Sequence, residues 1–334
     1  MTSAVAVLRV SEIDKARWND LLGADPTSSA FQTREWLACL AATYPAWDVG
    51  AIVARDGETI EAAIPFVRRR VSGILLVESM PFGGQGGLLR TDPAFDGTAL
   101  AERFFGLGRS PLSIVRLIGG SGLAGSSRAR RAVTRTTAVV DLSGGYGLTA
   151  AGYQRNVRKN LRRARDLGVE VRPVGDRASV ETFTTLAAYA YGLHGQDLPY
   201  PIELYEAVAR ELVPSGRATF QLAWRGEEAV AGSLHLVGAH ELFNWLTPAY
   251  REHQDLRANT LLIDDAIRSG IAMGLPTYNL GASQDHQGLE RFKRSWGGHD
   301  KEYLAIETVS PLAALAYRVR AVARTVARRP AANR

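Results

Sequence analysis

The sequence predicts an α/β protein with mixed sheets, built from two related halves. Three observations carry that expectation. A chain of 334 residues is long enough for two domains of about 150 residues each. Helical and β-type runs alternate along it, and the alternation restarts near residue 150. One hairpin also recurs: at an offset of 169 residues, Ala54, Gly57, Glu58 and Ala62 coincide with Ala223, Gly226, Glu227 and Ala231. Hydrophobic residues make up 46% and charged residues 22% of the chain, which excludes wholesale disorder. No apolar run reaches the ~20 residues that cross a bilayer, so stable membrane insertion is not expected. The opening residues MTSAVAVLRVSEID lack the basic start and cleavage pattern of a secretory signal. Cys39 is the only cysteine, which excludes an internal disulfide and a Cys-rich metal site and fits a reducing cytoplasm.

The elements follow in order. Residues 11–22 read as a short helix, and FQTREWLACLAATYP (31–45) as another, with Phe31, Trp36, Leu40 and Tyr44 near helical spacing and Thr33 at its start. AIVAR (51–55) and TIEAAIPFVRRR (59–70) flank Asp56-Gly57-Glu58, a strong hairpin signal. A strand, ILLVES (74–79), leads to PFGGQGGLL (81–89), whose four glycines demand unusual backbone angles or close approach. The second half opens on SGGYG (143–147) and a basic helix over 149–167, followed by helices over 177–193 and 201–213. Residues 218–250 read as a three-stranded meander, 258–274 as an amphipathic helix started by Asn259 or Thr260, and YNLGAS (278–283) and EYLAIE (302–307) as strands. Pro311 opens a basic C-terminal helix.

The net charge of +6 is modest but unevenly placed. Arg68, Arg69 and Arg70 form one run, Arg128, Arg130 and Arg131 a second, and Arg318, Arg320, Arg324, Arg328, Arg329 and Arg334 crowd the tail. On a wheel of 100° per residue, Arg155, Arg158, Lys159, Arg162, Arg163 and Arg165 fall within an arc of about 160°, opposite Val157, Leu161 and Ala164. Six cations on one face repel one another by a few tenths of a kcal/mol per pair. Either phosphate offsets that repulsion, or the face is solvated or neutralised by acidic residues elsewhere. The stretch YNLGASQDHQGLERFKRSWGG (278–298) gathers a strand end, cations, aromatics and glycines, the ingredients of a site for an anionic or acyl substrate. Phe292 and Trp296, at i,i+4, also fit as core anchors.

The motif RNVRKNLRRARDLGVEV (155–171), the helix–meander–helix order and the ending NLGAS…GLERFKRSWGG resemble the FemAB-like branch of the GNAT acyltransferase superfamily, most clearly over 150–300. FQTREW and SMPFGGQGG echo the companion domain. The resemblance implies two tandem GNAT-like domains facing a central cleft, here 1–147 and 148–309, with the C-terminal helix (310–334) returning to the first. It implies acyl or aminoacyl transfer to an amine, with no cofactor beyond the co-substrate, aminoacyl-tRNA or acyl-CoA. Lys293 and Phe292 sit where the family's Phe-Lys pair falls; Lys293 is then the oxyanion stabiliser and Phe292 packs beside the reacting centre. Gln254-Asp255-Leu256-Arg257-Ala258-Asn259 stands where ordinary GNAT enzymes carry Gln/Arg-x-x-Gly-x-Gly/Ala, a backbone cradle for the CoA pyrophosphate. Arg257 and Asn259 replace its small residues, and no glycine occurs between Gly238 and Gly270. That favours a charged tRNA as donor and partner, with Arg155, Arg158, Lys159, Arg162, Arg257, Asn259, Arg291 and Arg294 as candidates for holding donor phosphates.

Tyr191, His194 and Tyr200 lie where family members contact the acceptor, and Phe243 and Trp245 share one strand face toward either core or cleft. The acceptor is expected to be the amine of a small molecule, a peptide or a cell-wall precursor. His194, His235, His286 and His299 show no metal-ligand spacing. A binding protein for nucleic acid or membrane surfaces, with a degenerate transferase fold, is the competing class.

Overall fold

The computed structural model describes residues 4–119, 131–283 and 286–316. Arg128, Arg130 and the tail arginines from Arg318 onward lie outside the described residues. In chain order the elements are β1 (Ala4–Arg9), α1 (Lys15–Ala24), α2 (Arg34–Thr43), β2 (Asp48–Asp56), β3 (Thr59–Val71), β4 (Ile74–Glu78), β5 (Leu89–Arg90), α3 (Thr98–Gly106), β6 (Ser113–Ile118), β7 (Arg131–Asp141), α4 (Gly145–Ala151), α5 (Arg155–Asp166), β8 (Val169–Pro173), α6 (Arg177–Gly192), α7 (Ile202–Ala207), β9 (Ala218–Arg225), β10 (Glu228–Val237), β11 (Glu241–Leu246), α8 (Ala258–Ala272), β12 (Thr277–Asn279), α9 (Gln287–Arg294) and β13 (His299–Val309). Residues 311–316 are helical. No helix among the described residues is long and apolar enough to cross a membrane.

The hairpin repeat seen in the sequence is a repeat of structure. Gly57 and Gly226 both adopt left-handed backbone, φ +56° and +61°, as tight turns of this kind require. Ala54 faces Ala62 in β2–β3, and Ala223 faces Ala231 in β9–β10. Each hairpin then bulges at the same point: Glu61 and Val230, again 169 residues apart, are the extra residues. Each continues with an antiparallel third strand, β4 or β11, then a helix, α3 or α8, then a strand parallel to the third, β6 or β12. The antiparallel neighbour of β6 is β13, and that of β12 is β7, so each half receives its last strand from the other half of the chain.

Two compact units result, neither contiguous. Unit 1 takes residues 4–12, 45–119, 131–134 and 304–316; unit 2 takes 13–44, 135–283 and 286–303. The division expected from the sequence, 1–147 joined by 310–334 against 148–309, differs from these units: residues 13–44 and 135–147 fall in unit 2 and 304–309 in unit 1, while the helical residues 311–316 lie in unit 1 with the first half. The physical reason is where the first helices bury their apolar faces. Phe31 packs edge-on against Phe243 (4.7 Å), Trp36 against Trp245 (5.0 Å), and Arg217 bonds Asn19 (2.9 Å) and pairs with Glu35 (3.6 Å). In unit 1, Leu100, Ala101 and Phe104 of α3 pack on Ile52, Ile64, Val77 and Leu117. Ala313 of the terminal helix fills against Ile74, Leu76 and Ile114. In unit 2, Val157 and Leu161 of α5 and Ile263 and Ile267 of α8 share a core with Val140, Leu242, Tyr278 and Trp296. The basic stretch is two helices, α4 and α5, parted at Gly152–Gln154, and α7 runs on into a π-turn over Val208–Leu212.

Candidate functional site

The site is built where two parallel strands part. Pairing of β11 with β12 ends at Phe243 and Asn279, while β11 continues to Leu246 and the other chain turns away at Gly281, φ +77°. A buried polar network fixes the end of β12. Asn279 Oδ1 accepts from Thr137 Oγ1 (2.6 Å) and from the Gly281 N–H (2.9 Å), and its Nδ2 donates to Glu241 Oε2 (2.9 Å). The other Glu241 oxygen accepts from the Ala30 N–H (3.0 Å). Burial raises the Glu241 carboxyl above its ordinary pKa, opposed by the bonds from Asn279 and Ala30.

Lys293 enters from α9 onto this strand end and is 4% exposed. Its Nζ donates to the carbonyls of Gly281 (2.6 Å) and Ala282 (2.8 Å). Desolvation brings its pKa down to about 8. Two of its three N–H groups are thus engaged by backbone carbonyls. Phe292 faces the other way, 38% exposed, with its ring edge-on to Trp296 at 6.3 Å.

Behind Lys293 lies a brace of which the sequence singled out Trp296 and Arg165 but not Tyr146, Tyr153 or Asp264. Fully buried Trp296 packs edge-on against Tyr153 (5.0 Å). Tyr153 Oη donates to Asp264 Oδ1 (3.3 Å), as does Tyr146 Oη (2.8 Å). The other Asp264 oxygen accepts from Arg165 (3.1 Å) and Arg268 (3.0 Å), and the Arg268 guanidinium lies 3.5 Å from the Tyr146 ring centroid. The Gln154 N–H bonds Ser295 O (2.8 Å), and Gly297, φ +77°, allows the backbone of Gly152 to pass close by. An acid among the apolar positions of helix 258–274 was the available signal, because Asp264 falls on its buried stripe at 1% exposure.

The α5 cations separate into two sets. Arg165 is engaged by Asp264, Arg163 Nε bonds Asp255 O (2.9 Å), and Arg158 reaches Ala151 O (3.4 Å). Arg155, Lys159 and Arg162 are exposed and form no ion pair among the described residues. Arg257 is exposed with left-handed backbone, φ +58°, at the start of α8, and Asn259 is half-buried with Oδ1 lacking a hydrogen-bond partner. On α9, Arg294 pairs with Asp300 (3.3 Å) and Arg291 is exposed.

Tyr191 and His194 line a cavity of about 230 Å³ with Leu246, Thr247 and Pro248, just past the end of β11. Tyr200, Phe243 and Trp245 lie instead in a packed aromatic layer: Tyr200 stands 5.1 Å from Trp245, and Phe243 and Trp245 meet Phe31 and Trp36. The glycines of PFGGQGG make a tight connection in unit 1, since a Cβ at Gly86 would lie 2.8 Å from Ser79 O. Among the described residues no group of His, Cys, Asp or Glu is arranged to hold a metal ion.

Residues 151–294 match the family described as acetyltransferase (GNAT) domain. No curated protein sequence matches the chain. Among solved structures, FemX superposes with a TM-score of 0.71 at 13% identity, covering 94% of this chain and 99% of its own. A tandem GNAT protein from the clavulanic acid biosynthesis pathway gives 0.56 at 12% identity, covering 92% and 98%. L-PGS from Bacillus licheniformis gives 0.56 at 15% identity, covering 88% and 91%. The resemblance to the FemAB-like branch of the GNAT superfamily therefore holds at the level of the fold, which is a mixed α/β tandem GNAT-like fold.

Proposed function

We propose that the protein is an acyltransferase that forms an amide, moving an aminoacyl group from aminoacyl-tRNA to the amine of a small-molecule or peptidoglycan-type acceptor. The observation that carries this reading is Lys293, a buried ammonium tied to Gly281 and Ala282 at the parting of β11 and β12. The acceptor nitrogen attacks the ester carbonyl, negative charge gathers on its oxygen, and the remaining Lys293 N–H stabilises that charge. The carbon–oxygen bond to the ribose then breaks, and the amine proton passes to the departing ribose oxygen, with the neighbouring ribose hydroxyl as relay. An ester is already activated, so the step needs no further energy source. Exposed Arg155, Lys159 and Arg162 supply a sequence-independent grip on tRNA phosphates. The fold shared with FemX supports the same reading.

A second reading, acyl-CoA as donor, is favoured by one feature. Arg257, just before α8, holds the left-handed backbone that a glycine adopts easily, and this supports a loop of the kind that cradles a pyrophosphate. Purified protein is to be incubated with amine acceptors and either charged tRNA or acetyl-CoA, with mass spectrometry of the products. Amide from charged tRNA, abolished by ribonuclease, is expected. Product from acetyl-CoA alone overturns the tRNA donor, and no product from either donor overturns transferase function.

A further inference from the structure

The arginine run in unit 1 is untouched by the transfer chemistry. Arg68, Arg69 and Arg70, at the end of β3, line a cavity of about 520 Å³ together with Trp47, Asp48 and Leu75. Arg69 is fixed in place: it pairs with Glu78 (2.7 Å), its guanidinium lies 4.5 Å from the Trp47 ring centroid and 5.9 Å from that of Phe82, and its side chain is 17% exposed. Its Nε is buried with no hydrogen-bond partner. Glu78 is shared with Arg116 (3.4 Å), so it does not belong to Arg69 alone. Arg68 pairs with Asp48 (2.7 Å), and Arg70 reaches the Gly73 carbonyl (3.3 Å). Arg116 is held in turn by Glu307 (2.7 Å), so Arg68, Arg69, Arg70 and Arg116 stand against Asp48, Glu78 and Glu307, and the cluster keeps one net positive charge.

We propose that this cavity is a second ligand site and that it takes a nucleotide. Guanidinium forks match phosphate oxygens in pairs, Trp47, with the Arg69 guanidinium over one face of its ring, adds aromatic surface to the lining against which a flat ring can pack, and the volume lies within the range of pockets that hold one small ligand. The nucleotide is either the terminal nucleotide of a tRNA or one linked to a small molecule. The site is read by binding alone, so it stands or falls separately from the proposed transfer.

The test is calorimetric titration of the full chain with ADP and with inorganic pyrophosphate. Saturable one-to-one binding of ADP is expected, weakened at least tenfold in the Arg68→Gln/Arg70→Gln variant. It should be unchanged in Arg210→Gln/Arg225→Gln, which removes equal charge elsewhere. Trp47→Leu is expected to weaken ADP more than pyrophosphate, and circular dichroism checks that each variant is folded. Competition by deacylated tRNA assigns the nucleotide to the tRNA end; no competition assigns it to a free or linked nucleotide. A wild-type protein that binds neither anion at millimolar concentration overturns the proposal without recourse to any variant. So does equal affinity in the Arg68→Gln/Arg70→Gln variant.

Discussion

Replacing Lys293 by Met separates chemistry from folding because the structural terms nearly cancel. The ammonium is held out of water, and the fall of its pKa to about 8 corresponds to about 3 kcal/mol of unfavourable charge burial. Against that stand two charge-assisted bonds to Gly281 and Ala282, each worth roughly 1.5–3 kcal/mol. Gly281 O keeps a second donor, the Ala138 N–H at 3.1 Å, so only the Ala282 carbonyl is left exposed to loss. The net change in stability is expected to stay within about 2 kcal/mol. Turnover, by contrast, loses its oxyanion donor, a loss of about 10²–10³ in kcat. Wild-type kcat is expected to fall above pH 8, because deprotonation of Lys293, whose pKa is about 8, removes its positive charge and the third N–H that the oxyanion needs. That limb should vanish in Lys293→Met. Steady-state kinetics across pH 6–10, beside urea unfolding of both proteins, measures this. A folded variant with near-normal kcat, or with the same alkaline limb, would refute the assignment.

Three further outcomes are expected. Asp264→Asn orphans Arg165 and Arg268, but both are about half exposed and reach water, so it should cost about 2 kcal/mol rather than the larger price of a sealed pair; a kcat loss with KM unchanged would show that it braces α9. Arg257→Gly relieves left-handed backbone worth about 1 kcal/mol and adds a similar unfolded-state entropy. Its stability should therefore be nearly unchanged in thermal melts, and a gain in acetyl-CoA affinity there would favour the second donor. Changing Arg155, Lys159 and Arg162 together to Gln should flatten the log–log salt dependence of tRNA binding by about 2–3, measured by filter binding at several salt concentrations; an unchanged slope would remove α5 from the tRNA surface.

Local chemistry was legible in the sequence and allegiance between distant segments was not. The two hairpins announced themselves through Gly57 and Gly226, and the buried stripe of α5 through Val157, Leu161 and Ala164. The strand β7 was obscure because residues 131–136 are mostly exposed and polar, with no alternation to read. The strand read over 278–283 is only Thr277–Asn279, because the chain turns away at Gly281, φ +77°. Composition around Lys293 suggested a site, yet its burial follows from Gly281 and Ala282, which meet it only in the fold. Phe243 and Trp245 alternated as expected, but which layer they face was settled by Phe31 and Trp36, some two hundred residues away in the chain.

Because β7 is handed forward and β13 handed back, no single cut in the chain leaves both units whole. On the ribosome, unit 2 waits for residue 303 before it can close, and unit 1, begun first, is completed last. Severed at residue 147, the first fragment would carry two helices with their apolar faces unmet and lack an edge-closing strand. Such interlacing ties the halves to a common history: neither can be lost or exchanged as one uninterrupted stretch of chain.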